Sequence, residues 1–200
     1  MTGFPGERRN REIALVTDDF RLYHRLVPFF ASHEQTVLVL KPGEAVPASV
    51  RALIGGPVGD PRTVALREDL EAALLACWTH LDRKADGSPY RRVVLGVDPG
   101  KVIGLAVVAD GHWLLVGESL SVAAAVERLG AWASGLTAGE LAVHIGSGAH
   151  SLAMDLYIGV RRRLPKVSVS LVSEEATTPV SPVTGSRHTD AAIHIAMRRP

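Results

Sequence analysis

The stretch Val93-Val-Leu-Gly-Val-Asp98-Pro-Gly-Lys101-Val-Ile-Gly-Leu-Ala-Val-Val108 decides the fold. Its apolar run predicts a buried strand that ends in one carboxylate. Pro99-Gly100 makes a tight turn, and a second apolar run predicts a returning strand. A carboxylate that interrupts an apolar strand is costly to bury unless a cation or hydrogen bonds satisfy it. Asp98 is therefore the first candidate for chemistry, set against the ordinary role of an aspartate that bonds the turn after it.

Working outward, Arg92–Val97 predicts the strand before Asp98. Ile103–Ala109 and His112–Glu118 form a hairpin around Asp110-Gly111, a strong turn dipeptide. Val122–Ser134 has helical periodicity, and Leu141–Ile145 reads as a strand. His150–Arg163 reads as a helix, Val167–Val172 as a strand and Thr189–Arg198 as a final helix. The order βββαβαβα implies a mixed sheet with helices on its faces, an α/β fold.

Before this region, Ile13–Thr17, Gln35–Leu40 and Val50–Ile54 predict three short strands, parallel to one another. Arg21–Ser32 predicts a helix between the first two. Leu66, Leu70, Leu74, Trp78 and Leu81 predict a long helix over Thr63–Lys84, with Cys77 and Trp78 in its core face. Asp86-Gly-Ser-Pro89 then breaks the chain. The organisation expected is a flexible basic tail over 1–11, a small α/β N-terminal domain over 12–60, a helix and linker over 61–90, and a second domain over 91–200.

The 200 residues carry a net charge of +1, so a nucleic-acid partner needs local basic patches. One cysteine, Cys77, allows no internal disulfide and no cysteine-based zinc site. No apolar run is long enough to span a membrane, and Met1–Arg11 lacks the apolar core of a signal peptide. A cytoplasmic location with no membrane partner is expected.

Three motifs stand in order along the second half. Gly96-Val-Asp-Pro-Gly100 followed by Gly104-Leu-Ala106 resembles the first motif of the RuvC/YqgF group of RNase H-like nucleases. Ser173-Glu-Glu-Ala-Thr-Thr178 resembles that group's second acidic segment. Arg187-His-Thr-Asp-Ala-Ala192 resembles its last motif, in which an aspartate opens a helix beside small residues. The resemblance implies an RNase H-like mixed sheet and a divalent-metal-dependent nuclease. Such an enzyme hydrolyses phosphodiester bonds in structured or branched DNA or RNA, as a Holliday junction resolvase does. A homodimer suits such a substrate. Near Gly146, resolvases of the RuvC type carry a glutamate. This chain has His144-Ile-Gly-Ser-Gly148, which is closer to YqgF.

Physical chemistry points to the same residues. Phosphodiester hydrolysis is served by two divalent ions about 3.5–4 Å apart, and Mg2+ or Mn2+ takes clustered carboxylates. Two carboxylates 4 Å apart repel by about 4 kcal/mol at an effective dielectric near 20, so clustering calls for a cation. The catalytic and metal-ligand set expected is Asp98, Glu174 and Asp190, with Glu175 and His188 in reserve. Each has an ordinary alternative: Asp190 suits the first turn of any helix, and Glu174 and Glu175 suit solvent. His194, one turn after Asp190, and His144, within a strand, are most simply structural. Nucleic-acid contacts are expected from Lys101, Ser147 in the Gly-Ser-Gly turn, Arg161, Arg162, Arg163 and Arg187. Two competing functions are a non-catalytic nucleic-acid-binding or interaction module and an actin-like ATPase; the latter normally needs a second related domain.

Overall fold

The computed structural model describes residues 12–83, 90–173 and 184–198. The basic tail, the Asp86–Pro89 break, Glu174 and Glu175 lie outside the described residues. The chain divides into two compact units, Met1–Pro89 and Tyr90–Pro200. Both are α/β, with helices flanking a sheet. Among the described residues no helix is long and apolar enough to cross a membrane.

The first unit is a four-stranded parallel sheet. Its strands are β1 (Ile13–Val16), β2 (Val37–Leu40), β3 (Ala52–Ile54) and β4 (Thr63–Val64), in the order β2-β1-β3-β4. Helix α1 (Phe20–Ser32) crosses from β1 to β2 and starts where Asp19 accepts the amide hydrogens of Arg21 and Leu22. The expected helix over Thr63–Lys84 is shorter: α2 runs Leu70–Leu81. Thr63 and Val64 instead pair with β3, as the fourth strand. Asp69 caps the helix by accepting the Ala72 amide hydrogen at 2.8 Å, and Leu66, counted in the apolar stripe, is half exposed. Helix α2 packs on β3 and β4, so it belongs to the first unit's own layer and is no connector. Trp78 is buried in that layer and donates its indole N–H to Gln35 Oε1 at 3.3 Å.

The second unit is a five-stranded mixed sheet. Strands β5 (Tyr90–Asp98), β6 (Ile103–Ala109) and β7 (His112–Ser119) form an antiparallel meander. Strands β8 (Ala138–Gly146) and β9 (Ser168–Val172) add parallel to β5 on its other side, giving β7-β6-β5-β8-β9. Helices α3 (Val122–Gly135) and α4 (His150–Arg163) pack together on one face, around the fully buried Trp132, Leu129 and Leu156. Among the described residues helix α5 (Arg187–Met197) is the one helix that crosses the other face.

The crossing depends on glycine. Gly96 and Gly104 lie under α5 in adjacent strands. A Cβ on Gly96 would meet Ala196 Cβ at 2.8 Å and the Ala192 carbonyl oxygen closer still. A Cβ on Gly104 would meet His188 Cα at 3.2 Å, with its carbonyl closer. Backbone therefore rests on backbone, and Val94, Ala106, Val108, Ala192, Ile193 and Ala196 fill the space on either side.

Candidate active site at the sheet's carboxyl edge

Strands β5, β7, β8 and β9 all end at one edge of the second sheet, where β6 begins. Asp98 is the last residue of the central strand β5. Its side chain, 17% exposed, is on the α5 face, opposite Gly104 in register. Helix α5 starts above this point. Ser186 caps it by accepting the His188 amide hydrogen at 3.2 Å. His188 Nδ1 then comes within 3.6 Å of Asp98 Oδ2. The missing side chain of Gly104 is what lets the His188 backbone sit so low on the sheet.

Asp190 stands two residues further along the same helix and is sealed from water, at 2% exposure. Its Oδ1 accepts two hydrogen bonds from Thr184, the amide hydrogen at 3.0 Å and the hydroxyl at 2.7 Å. Thr189 donates its hydroxyl to the Ser186 carbonyl at 3.0 Å and completes the knot. The carboxylate thus fastens the chain entering α5 to the helix's own first turns. Charge-assisted bonds of this kind are roughly twice as strong as neutral ones.

Sequence periodicity did not single out a further acid on the same face of the sheet. Glu118, near the end of β7, pairs in register with Gly104, which in turn pairs with Asp98. All three share the α5 face, because cross-strand partners do. Glu118 Oε1 accepts the hydroxyl hydrogen of Ser186. The usable signal was a second acid at the end of the hairpin, but its face could not be read from alternation alone.

The expected nucleic-acid contacts divide between two edges of the sheet. Lys101, in the β5–β6 turn, and Arg187, the first residue of α5, are exposed at the Asp98 edge. Ser147 is there too; its amide hydrogen bonds the Val172 carbonyl at 3.0 Å just before α4. Arg161, Arg162 and Arg163 form the last turn of α4, which starts at that edge and runs back across the sheet. At 1.5 Å per residue the helix carries them about 20 Å away. Arg163 is paired there with Glu127 at 3.3 Å. The structure does not bring these three arginines to Asp98.

His144, 1% exposed, lies on the α5 face of β8 beside Gly96. Its Nδ1–H donates to the Ile195 carbonyl at 3.3 Å, leaving Nε2 to accept from Arg92 Nη2 at 3.4 Å. Burial pushes its pKa below the usual histidine value; the Ile195 bond opposes this and the Arg92 charge adds to it. The unfolded chain therefore takes up a proton first as pH falls. Stability tied to neutral His144 is present above the ordinary value of about 6.5 and is lost as pH drops through it towards the lower folded-state value. His144→Gln, which keeps a donor and an acceptor, is expected to flatten the stability profile between about pH 7 and pH 5. Parallel slopes for the two proteins in urea titrations would count against this assignment.

Among the described residues no three His, Cys, Asp or Glu side chains converge to hold a metal ion. The donor chemistry of Asp98 and Asp190 suits a hard divalent cation. Comparison with protein-family models and with curated proteins finds no match.

Proposed function

We propose that the second unit is an RNase H-like domain of the RuvC/YqgF kind, a hydrolase of phosphodiester bonds in structured DNA or RNA. The observation that carries this is the meeting of a strand-end aspartate with the first turn of a helix laid over glycines in two adjacent strands. The order β7-β6-β5-β8-β9, with Asp98 on the middle strand, accords with the resemblance of the three motifs. Asp98, Asp190 and Glu174, with Glu175 and His188 in reserve, would hold Mg2+ or Mn2+. Such ions supply an activated water and neutralise charge developing on phosphate. The protein's own residues orient and steer. Lys101 and Arg187 place positive charge at the edge where Asp98 opens to solvent. His188 lies against the Asp98 carboxylate. The assay is cleavage of branched DNA, single strands, duplex and RNA–DNA hybrid by the full chain with each ion. Cleavage of at least one substrate, abolished by chelation, is the expected result. No cleavage of any of them removes the proposal.

A second reading is a non-catalytic nucleic-acid-binding module. The burial of Asp190 and the two hydrogen bonds it accepts from Thr184 favour it, since that carboxylate already has a structural task. Binding unchanged by chelation and by Asp98→Asn distinguishes this reading from the first.

A further inference from the structure

We propose that Glu118 is a positioning residue: it anchors the first turn of α5 to the sheet and so sets where His188 and Asp190 stand relative to Asp98. The purpose assigned to that placement rests on the proposed function, whereas the anchoring rests on geometry alone. Glu118 reaches across from β7 to the cap of α5, where Ser186 has two duties. Its hydroxyl oxygen accepts the His188 amide hydrogen, and its hydroxyl hydrogen goes to Glu118. Ser186 also accepts the Asp190 amide hydrogen on its carbonyl at 3.1 Å. The same serine thus links the strand to the two residues that matter. From the opposite face, Arg128 of α3 donates to the Glu118 carbonyl at 2.8 Å and holds the strand end while the side chain works on the other side.

Two acids on one face suggest a shared ion, but the register argues otherwise. Asp98 and Glu118 are two strands apart, about 10 Å between backbones at the usual strand spacing. Each also has its own partner: Asp98 faces His188, and Glu118 faces Ser186. The role therefore needs an acceptor at the right reach and does not need negative charge. This separates it from a ligand or a field effect.

The test uses Glu118→Gln, Glu118→Asp and Glu118→Ala in the full chain. Gln keeps reach without charge, and Asp keeps charge without reach. Amide hydrogen exchange at His188 and Asp190 is the first readout, and Mn2+ binding by calorimetry the second. Ala and Asp are expected to speed exchange about 5–10-fold, the effect of losing one modest hydrogen bond, while Gln stays within about twofold of wild type. Mn2+ affinity is expected to follow the same order. Ser186→Ala is expected to speed exchange at least as much, with little added by Glu118→Ala on top of it. Wild-type behaviour of Asp with an Ala-like Gln overturns the proposal in favour of charge, and additive effects of the two alanines also overturn it. A wild-type chain that binds no Mn2+ defeats the proposed metal site, while the exchange arm still decides the anchoring.

Discussion

Gly96→Ala is expected to destabilise the second unit by about 3 kcal/mol or more, at the upper end of what overpacking costs. The new methyl would sit 2.8 Å from Ala196 Cβ and nearer still to the Ala192 carbonyl oxygen. Neither obstacle can rotate away, because one is helix backbone and the other a methyl fixed to it. Helix α5 would have to lift by roughly an ångström, and dispersion contacts fall off steeply over that distance. The loss spreads to Val94, Ala106, Val108 and Ile193, which pack around the crossing. Gly117→Ala is the control. Its methyl would meet the Arg128 guanidinium at 2.5 Å, but that is the far end of a flexible side chain, which can shift at the cost of one hydrogen bond to the Glu118 carbonyl. A change within about 1 kcal/mol is expected there. Urea unfolding followed through Trp113 and Trp132, both in the second unit, reads the two variants. Equal midpoints for Gly96→Ala and wild type would show that α5 does not rest on the strand as described.

The same glycines explain why so much of the second unit was legible. A strand that ends in Asp-Pro-Gly and resumes with Ile-Gly-Leu-Ala is an unusual local pattern, and it carried both the turn and the candidate site. The periodic elements after it lie within a few residues of their expected places. Glu118 was hidden for a specific reason. The β6–β7 register shifts between Val107 and Val108: Val108 pairs with Trp113, yet Val107 pairs with Leu115. The irregularity at Leu114 changes the phase of alternation, so counting from Trp113 assigns Glu118 to the wrong face. The burial of Asp190 was equally invisible, since it depends on Thr184, six residues earlier, turning back to bond it. In the first unit Leu66 misled: it matched helical spacing, but Asp69 fixes the helix start after it. Local periodicity places elements, whereas caps and cross-strand registers decide where they end and which side chains meet.

Asp98→Asn is expected to lower any metal-dependent cleavage by about a thousandfold while leaving the fold intact. Losing about 4 kcal/mol of transition-state stabilisation gives that factor. The fold is expected to survive, because asparagine keeps the size of the side chain and an acceptor oxygen for neighbours such as His188, whose Nδ1 lies 3.6 Å away. Asp190 behaves differently. Asp190→Ala would leave the amide and hydroxyl of Thr184 without their buried acceptor, at a cost of about 2–4 kcal/mol. Asp190→Asn keeps an acceptor at Oδ1 and is expected to retain most of that stability. The asparagine pair therefore separates chemistry from architecture. If the second unit is a nuclease, Asp98→Asn and Asp190→Asn both stop cleavage in folded protein. If it is a binding module, both asparagine variants hold nucleic acid as wild type does, and only Asp190→Ala melts at a clearly lower temperature. Thermal melts and binding isotherms on the same samples distinguish the outcomes, because a charge needed for catalysis is already lost at asparagine, whereas an acceptor needed for packing is lost only at alanine.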